Sequence, residues 1–318
     1  VSIFLFKTFQ KAIKTAIAVL YGYMPRLIWK GKTKMSKVIA IANQKGGVGK
    51  TVTAVNLGCA LSKAGKNVLL IDNDPQGNAG SYLNLSSYDH VTITNLFYAS
   101  IAAAKVQDNG DVQAFEEIQR TLSEYAHQAI QKSELSISFI ASDCELPGAE
   151  IELIRAESSM NSFNRNTALE MIIRPIRDEY DYIIIDSPPY LGTLLLNNLT
   201  AADGVIIPVT CENFALDGIT QLFHSIQGVQ QTTNPGLTVY GFLLTMVQTN
   251  TKGYAEAKEA LYSAFPNWMF KTEIHRSVAA SRSTKEQKPM VFEKSSKLGQ
   301  EYLTFADELQ YIMGRSNY

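Results

Sequence analysis

The chain has 318 residues, which is long for one domain but suits a single large α/β sheet. A composition of 46% apolar and 19% charged residues excludes a wholly disordered chain and provides enough apolar side chains for a sizeable core. The net charge is −1, but residues 1–34 hold seven basic and no acidic side chains, so the remainder, with 22 basic and 30 acidic residues, could contact nucleic acid only through a local basic patch.

The first 34 residues differ from the rest of the chain and leave two interpretations open. Apolar side chains recur there at helical spacing with lysines on another face, which is typical of a basic amphipathic helix on a membrane surface. The longest charge-free run, 15–25, is too short to span a bilayer. Alternatively, Met35 is the true start and residues 1–34 are a mis-assigned extension. In both cases we expect one domain over 35–318.

The region after Met35 begins with a strand, a loop, a helix and a second strand. Residues 38–42 and 68–71 are short apolar runs and are predicted to be buried strands. Between them, residues 50–63 have the apolar spacing of a helix, and Gly65 follows. A strand, a helix and a strand in about 35 residues predict a βαβ unit with parallel strands and a right-handed crossover.

The same alternation continues along the chain. The predicted helices are 111–132, 166–178, 216–230, 253–264 and 299–313, and the predicted strands are 137–141, 182–185, 205–209 and 240–247. Apolar strands that alternate with helices favour an α/β fold with a mostly parallel sheet and helices on both faces. We find no linker within 36–318, and we expect 85–135 and 266–297 to be less regular surface segments.

A glycine-rich loop, NQKGGVGKT (43–51), lies between the first predicted strand and the first predicted helix. Glycines let backbone N–H groups point into one concavity, and the following helix adds its positive N-terminal end, so the segment favours a bound phosphate. Lys50 would reach the β- and γ-phosphates of ATP, and the Thr51 hydroxyl would ligate Mg²⁺. The strict pattern for such loops requires glycine where Gln44 stands, so a chance glycine-rich turn is the alternative.

Lys45 is an additional lysine beside this loop. It could project away from its own phosphates and toward a second subunit, where it would neutralise charge on the transferred phosphoryl group as an arginine finger does. A solvated loop lysine is the alternative. The first interpretation predicts a homodimer that forms on ATP binding.

Three aspartates follow predicted strands. Asp72 and Asp74 come after 68–71, and Asp186 comes after 182–185. The carboxyl ends of parallel strands face one crevice, so these carboxylates are expected near the phosphate loop. There, Asp186 would lie beside Mg²⁺. Of Asp72 and Asp74, one would contact Mg²⁺ through a water molecule, and the other would position the water that attacks the phosphate. A simple Asx turn is the alternative for Asp72 and Asp74.

These segments together resemble the ParA, Soj and MinD family of ATPases, which are P-loop NTPases with a deviant Walker A motif, here KGGVGKT. DNDPQGN (72–78) and IIIDSPP (183–189) are similar to two further signatures of that family. The resemblance continues through NNLTAADGVIIPV (197–209), NFALDGITQL (213–222) and GFLLTMVQTN (241–250). It covers most of 36–318 and fits ParA and Soj better than MinD.

The resemblance implies roles for individual residues. Lys45, Lys50 and Asp74 would be catalytic, with Asp74 as the hydrolysis residue, and residues 75–78 would form a nucleotide-sensing switch. The residues that lie beside Mg²⁺ would be Thr51, Asp72 and Asp186. The ATP-binding residues would be Gly46, Gly47, Val48, Gly49, Lys50, Thr51, Val52, Pro208 and Met246, the last two beside adenine. Val52 replaces the family's usual second threonine, so only its backbone N–H remains for the α-phosphate.

Residues 271–297 hold seven basic and three acidic side chains and form the leading candidate patch for nucleic acid. Lysine and arginine contacts to phosphates would give DNA binding that is salt-sensitive and independent of sequence. The resemblance implies dimer-dependent, non-specific DNA binding near this region, and the candidates are Arg276, Arg282, Lys285 and Lys288. The family's frequent Ser-Glu-Ala stretch here reads Ser281-Arg282-Ser283, and a solvated loop is the alternative.

These features predict a slow, partner-stimulated ATPase that dimerises with Mg²⁺ and ATP, binds DNA non-specifically and drives plasmid or chromosome partition with a ParB-like protein. It would be cytoplasmic, and nucleoid-associated when ATP is bound. The alternative is a membrane-associated positioning ATPase similar to MinD. That class needs a basic amphipathic C-terminal helix, whereas 301–313 holds three acidic and no basic residues, so only 1–34 could provide an anchor.

A third class, the nitrogenase-type reductases, needs cysteines that ligate an iron–sulfur cluster. Cys59, Cys144 and Cys211 are far apart and odd in number, which indicates no disulfide framework and favours a reduced compartment. Cys144 and Cys211 follow strand segments but lack the flanking motifs of that class. The four histidines have no metal-ligand spacing, so no metal site is predicted from them.

Overall fold

The computed structural model describes residues 36–85, 87, 89–108, 112–211 and 216–315. The predicted N-terminal amphipathic helix and the alternative start at Met35 both lie outside these residues, as does part of the segment 213–222. Within the described ranges, no helix has both the length and the apolar character needed to cross a membrane.

An eight-stranded sheet forms the centre of the fold. Its strands are β1 (Lys37–Ile41), β2 (Val68–Asp72), β3 (Ile130–Lys132), β4 (Ser138–Ile140), β5 (Tyr182–Asp186), β6 (Gly204–Thr210), β7 (Thr238–Val247) and β8 (Met269–His275). Their order is β3-β4-β2-β5-β1-β6-β7-β8, and every neighbouring pair is parallel except β3 and β4. The central strands read KVIAI, VLLID and YIIID, and such apolar runs suit a sheet covered on both faces. The predicted mostly parallel sheet is confirmed.

Helices cover both faces of this sheet. Their bounds are α1 (Lys50–Lys63), α2 (Asn78–Leu83), α3 (Ile93–Asp108), α4 (Val112–Ala129), α5 (Leu146–Ser159), α6 (Ala168–Ile173), α7 (Thr193–Ala201), α8 (Leu216–Gln231), α9 (Lys252–Ala264), α10 (Val278–Lys285) and α11 (Lys297–Arg315). Side chains alternate along β1, so that Val38 and Ala40 face one layer while Ile39 and Ile41 face the other. The first layer is built mainly from α3 to α9, and the second from α1, α2 and α11.

Two predicted helices differ from the structure. The helix predicted over 111–132 ends at Ala129, and Ile130–Lys132 instead forms edge strand β3, because these residues pair antiparallel with β4. The helix predicted over 166–178 is reduced to α6 with a short 3₁₀ turn on either side. Pro175 explains the interruption, since proline has no N–H to donate within a helix.

The two segments expected to be irregular are partly regular. Helices α3 and α4 lie largely within 85–135, and β8 and α10 lie within 266–297. The pattern of β8 is hidden because Lys271 and Glu273 interrupt its apolar positions at the edge of the sheet. Helices α2, α5 and α7 were also not predicted, and α2, with six residues, is too short to show a helical period.

The C-terminal helix α11 packs on the sheet instead of presenting an apolar face to solvent. Tyr302, Phe305 and Leu309 are at most 1% exposed and belong to the core layer that α11 forms with α1 and β8. Burial of this face agrees with the interpretation of 301–313 as a packing helix. It does not supply the membrane-binding surface that the MinD-like alternative would need.

Carboxylates of α11 bind the outer edge of β8. Glu308 accepts hydrogen bonds from the backbone N–H groups of Lys271 and Thr272 at 2.7 and 2.9 Å. Glu301 accepts one from the backbone N–H of His275 at 2.9 Å. These donors of an edge strand, which would otherwise be available to another strand, are therefore satisfied within the chain.

Candidate phosphate-binding site

The carboxyl ends of three central strands define the position of the site. β1 and β2 both pair in parallel with β5, so that Ile41 and Asp72 are each in register with Asp186. The loop of residues 42–49 joins β1 to α1 at this edge. The predicted phosphate loop and two predicted acidic residues are thus brought together, as expected for the carboxyl ends of parallel strands.

The backbone of the loop forms an open cradle. Gly47 and Gly49 have φ values of 73° and 82°, which residues with a Cβ atom rarely adopt. A Cβ atom placed on Gly46 or Gly47 would meet nothing within 4 Å, so the space beside the loop is open. The loop enters α1 directly at Lys50, and the first N–H groups of a helix are available to bind an anion.

Side chains from neighbouring strands hold the loop in place. The Asn43 side chain accepts a hydrogen bond from the Lys45 N–H at 2.9 Å and donates one to the Pro208 carbonyl at 2.7 Å. Thr245, on β7, donates from its hydroxyl to the Val48 carbonyl at 2.9 Å. Thr245 was missed in the sequence, because a threonine within a strand carries no signal that it contacts a distant loop.

Replacement of Thr245 by valine should weaken this support. The single hydroxyl hydrogen of Thr245, which lies within reach of the Val48 and Val209 carbonyls, would be lost, and a buried carbonyl left without its donor costs about 1–3 kcal/mol in the free energy of unfolding. Because Val48 belongs to the loop, nucleotide affinity should fall as well. Urea unfolding and nucleotide titration measure the two effects, and Thr245→Ser, which keeps the hydroxyl, is the matched control. A valine variant with unchanged affinity would contradict this role.

Lys50 and Asp186 are buried at the centre of the site. Lys50 is 7% exposed, and its Nζ donates to the Lys45 carbonyl at 3.2 Å. Burial lowers the pKa of Lys50, while the charges of Asp186 and Asp74 oppose that change. Both carboxylate oxygens of Asp186 are buried and make no hydrogen bond of ordinary geometry within the part of the chain that is described, although the Thr51 side chain is close enough to lower the pKa of Asp186 as a hydrogen-bond donor. Burial, followed by the charge of Asp72, raises the pKa of Asp186 well above its ordinary value.

The oxygens of Asp186 fit a divalent metal ion. Magnesium prefers carboxylate and other oxygen ligands, and it usually takes further ligands from water and substrate phosphates. The Thr51 side chain and Lys50 both favour the charged form of Asp186, which opposes the rise in its pKa. Phosphate oxygens and water would complete the ligand set of such an ion.

Asp72 is fully buried and fixes the start of α2. Its carboxylate accepts hydrogen bonds from the backbone N–H groups of Asp74, Ala79 and Gly80 at 3.2, 3.0 and 3.4 Å. Burial raises the pKa of Asp72, and these backbone hydrogen bonds oppose the change. The structure thus shows a positioning role for Asp72, and its contact with Mg²⁺ stays a prediction.

Asp74 lies in the loop between β2 and α2 and is 6% exposed. Its carboxylate accepts a hydrogen bond from the Gln76 N–H at 3.0 Å, which forms the Asx turn considered as an alternative. The same carboxylate acts electrostatically on Lys50 and on Asp186. Asp74 therefore forms the Asx turn and also lies close enough to Lys50 and Asp186 to belong to the site.

A buried amide network that was missed in the sequence connects the strand ends. Asn73 donates from Nδ2 to the side chain of Asn198 at 2.6 Å, and Asn198 donates to the Ser187 hydroxyl at 3.0 Å. The backbone N–H of Asn73 also donates to the Asp186 carbonyl at 3.0 Å. The loops after β2 and β5 are thereby fixed to α7. Asn198 lies in the segment 197–209 that resembles the family, but its contacts were not predicted, because an asparagine in a helix usually faces solvent.

The remaining predicted residues lie around the loop. Lys45 is exposed, and Val52 is half-buried in the first turn of α1. Met246 has a φ of 52°, and its Cε lies 3.8 Å from where a Cβ on Gly49 would be. Pro208 is buried in β6 and contacts the loop through its carbonyl. The adenine contacts of Met246 and Pro208 and the role of Lys45 in a second subunit stay predictions.

The predicted DNA residues lie outside this cradle, on and around α10. Arg276 and Arg282 line an open groove of about 660 Å³ next to the ends of β7 and β8. Lys285 and Lys288 are exposed at the C-terminal end of α10. The structure therefore separates the candidate residues into a nucleotide site and a basic surface.

The fold and the site together define a P-loop NTPase. The family model described as AAA domain matches residues 36–239. The sporulation initiation inhibitor protein Soj of Bacillus subtilis is 38% identical over 276 residues, which cover 86% of this chain and 98% of Soj. The chromosome partitioning protein ParA of Myxococcus xanthus is 38% identical over 293 residues, with coverage of 92% and 93%. The chain belongs to the ParA and Soj family of chromosome-partitioning ATPases.

Solved structures share this fold. The cobyrinic acid a,c-diamide synthase from Mycobacterium smegmatis, with a bound ATP analog and magnesium, is 30% identical, with a TM-score of 0.67 and coverage of 86% of this chain and 93% of that one. A complex of Cyanothece McdA with ATP is 20% identical, with a TM-score of 0.71 and coverage of 89% and 98%. The cell division ATPase MinD of Pyrococcus furiosus is 20% identical, with a TM-score of 0.63 and coverage of 87% and 100%.

Proposed function

We propose that this chain is an ATPase that dimerises with Mg²⁺ and ATP, binds DNA without sequence preference, and partitions a chromosome or plasmid with a ParB-like protein. The carboxylate of Asp186, which is buried at the glycine cradle beside the Thr51 side chain, carries the ATPase part of the proposal. Soj and ParA, the latter a chromosome partitioning protein, support the cellular role. We expect slow, partner-stimulated turnover in the cytoplasm, and association with the nucleoid when ATP is bound.

Each residue of the site would have a separate role in binding or hydrolysing ATP. Backbone N–H groups of the cradle and the ammonium group of Lys50 would bind phosphate oxygens. Thr51 and Asp186 would hold Mg²⁺, which supplies charge neutralisation at the β- and γ-phosphates when it is bound. Asp74 would orient the attacking water and accept its proton. Lys45, exposed on the loop, would contact the phosphates bound by the second subunit.

The groove beside α10 has the features of a phosphate-binding surface. Thr251, Ser277 and Ser296 line it, and each precedes a helix, so the N-termini of α9, α10 and α11 border one groove. Helix N-termini carry partial positive charge and favour phosphate. The basic side chains that line the same groove are Arg276, Arg282 and Lys297.

The ion pair of Arg282 in this groove is exposed enough for a phosphate to compete for the arginine. Arg282 pairs with Glu293 at 3.1 Å, but the two side chains are 55% and 42% exposed. Exposed pairs of this kind contribute little to stability, so a DNA phosphate could replace the carboxylate. Arg276 lines the same groove beside the side-chain amide of Gln248. We therefore assign non-specific DNA contacts to Arg276 and Arg282, with Lys285 and Lys288 at the other end of α10.

Binding to DNA of random sequence, measured over a salt series, tests this proposal. We expect binding with a non-hydrolysable ATP analogue and Mg²⁺, and much weaker binding with ADP or without nucleotide. In the double variant Arg276→Ala and Arg282→Ala, affinity should fall equally on all sequences. The slope of log affinity against log salt should become shallower by about two, because each lost phosphate contact contributes about 0.9.

Lys132→Ala is the matched control for this experiment. Lys132 is an exposed basic residue on β3, at the opposite edge of the sheet from β8, and its loss should not change the salt slope. The proposed DNA binding would be refuted if the unmodified chain bound nucleotide and ignored DNA under all three conditions. The assignment to this groove would be refuted if the double variant and the control behaved alike.

A further inference from the structure

A series of buried hydrogen bonds connects the helix of the phosphate cradle to α10. Asn56 on α1 donates from Nδ2 to the Tyr82 hydroxyl on α2 at 3.1 Å. The Tyr82 hydroxyl lies 2.5 Å from the Ser283 hydroxyl on α10, and Ser283 donates to the Lys288 carbonyl at 2.5 Å. The side chains of Asn56, Tyr82 and Ser283 are at most 3% exposed. Three helices are therefore linked by side chains that exclude water.

The available hydrogens fix the direction of this series. Ser283 has one hydroxyl hydrogen, which bonds the Lys288 carbonyl, so Ser283 must accept the hydrogen of Tyr82. Tyr82 in turn accepts one hydrogen from the Asn56 amide, whose Nδ2 also bonds the Val52 carbonyl at 2.9 Å. The series runs without interruption from the first turn of α1 to Lys288, in a low-dielectric interior where hydrogen bonds reinforce each other.

Tyr82 also belongs to the helix that follows the predicted nucleotide switch. α2 begins directly after the turn at 74–77, and Asp72 binds the first N–H groups of the helix. A second contact joins α2 to the end of α10, since Gln287 donates from Nε2 to the Ser81 carbonyl at 3.1 Å. A shift of the turn would move α2 against α10, because closely packed interiors transmit such displacements.

The pair formed by Tyr82 and Ser283 lies between the cradle helix α1 and α10 and is buried at both hydroxyls. We infer that Tyr82 and Ser283 are positioning residues that couple the nucleotide site to α10 and make DNA affinity depend on the bound nucleotide. This inference rests on the proposed function, because it assigns the regulation of the same DNA surface.

Comparison of DNA affinity in two nucleotide states tests the coupling. The affinity of the full chain is measured with a non-hydrolysable ATP analogue and with ADP, and the ratio of the two is compared between variants. Tyr82→Phe and Ser283→Ala both remove the hydrogen bond between Tyr82 and Ser283, and each should reduce this ratio by about three- to tenfold, the factor that corresponds to that one neutral hydrogen bond. Nucleotide affinity measured without DNA should stay unchanged, because only the coupling between the two sites is altered. In these variants, the rate of amide hydrogen exchange in α10 should also become the same with the ATP analogue and with ADP.

Tyr302→Phe is the matched control, because Tyr302 is equally buried and its hydroxyl lies 3.3 Å from that of Thr53 on α1. Within the described part of the chain its hydroxyl makes no hydrogen bond to α2 or α10, although Tyr302 and Tyr82 interact electrostatically. The ratio should not change in this variant. Unchanged ratios in both Tyr82→Phe and Ser283→Ala would overturn the coupling, and so would an equal loss in Tyr302→Phe. If the unmodified chain binds DNA equally in both states, the proposed function itself fails, which is seen before any variant is compared.

Discussion

Replacement of Asp74 by alanine should stop ATP turnover while nucleotide binding persists. Asp74 is nearly buried and acts electrostatically on Lys50, yet its carboxylate is not needed to form the glycine cradle. Loss of a positioned general base lowers a rate by about 10²–10⁴-fold. Phosphate release with and without the partner protein measures turnover, and titration with an ATP analogue measures binding.

Asp74→Asn separates the charge from the turn. Asparagine can still accept the hydrogen bond from Gln76, so the geometry of the loop is kept while the base is removed. We expect the asparagine variant to be as inactive as the alanine variant. If it retained full turnover, Asp74 would act only as a turn residue and the proposed hydrolysis mechanism would be wrong.

Lys45→Gln should have an equally large effect on partner-stimulated turnover. Lys45 is exposed on the loop, and the proposal places its charge at the phosphates of the other subunit. Removal of an arginine-finger type of cation lowers turnover by about 10³–10⁵-fold. Sedimentation in the presence of an ATP analogue should also show less dimer, because the charge that bridges the subunits through ATP is lost.

A mixture of the Lys45→Gln and Asp74→Ala variants distinguishes action across the dimer from action within one subunit. In a mixed dimer, one site would combine an intact Asp74 with an intact Lys45 from the other subunit. Equal amounts of two inactive variants should then recover about one quarter of normal turnover, since half of the dimers are mixed and each has one complete site. If Lys45 acts within its own subunit, the mixture stays inactive.

The parts of the site that are contiguous in the chain were predictable from sequence. The cradle from Gly46 to Thr51 and the aspartates that end β2 and β5 depend on local backbone geometry and on the strand ends that precede them. The mostly parallel sheet followed from the same apolar runs. These predictions needed no knowledge of which distant residues pack together.

The residues that were missed act through contacts between distant segments. Thr245 bonds Val48 across 197 positions, and Tyr82 meets Ser283 across 201 positions. Their residue types are ordinary in a strand or a helix, so neither periodicity nor spacing distinguishes them. Segment 130–132 was missed for a related reason, because a three-residue edge strand is defined only by its partner β4.

The two edges of the sheet also constrain how copies of this protein can assemble. At one edge, Glu308 and Glu301 occupy backbone donors of β8, and at the other the last strand is the three-residue, antiparallel β3. The joining of copies edge to edge into one continuous sheet is thereby disfavoured. Contacts between copies of the chain, including the proposed ATP-bridged dimer, would therefore use surfaces other than the two sheet edges.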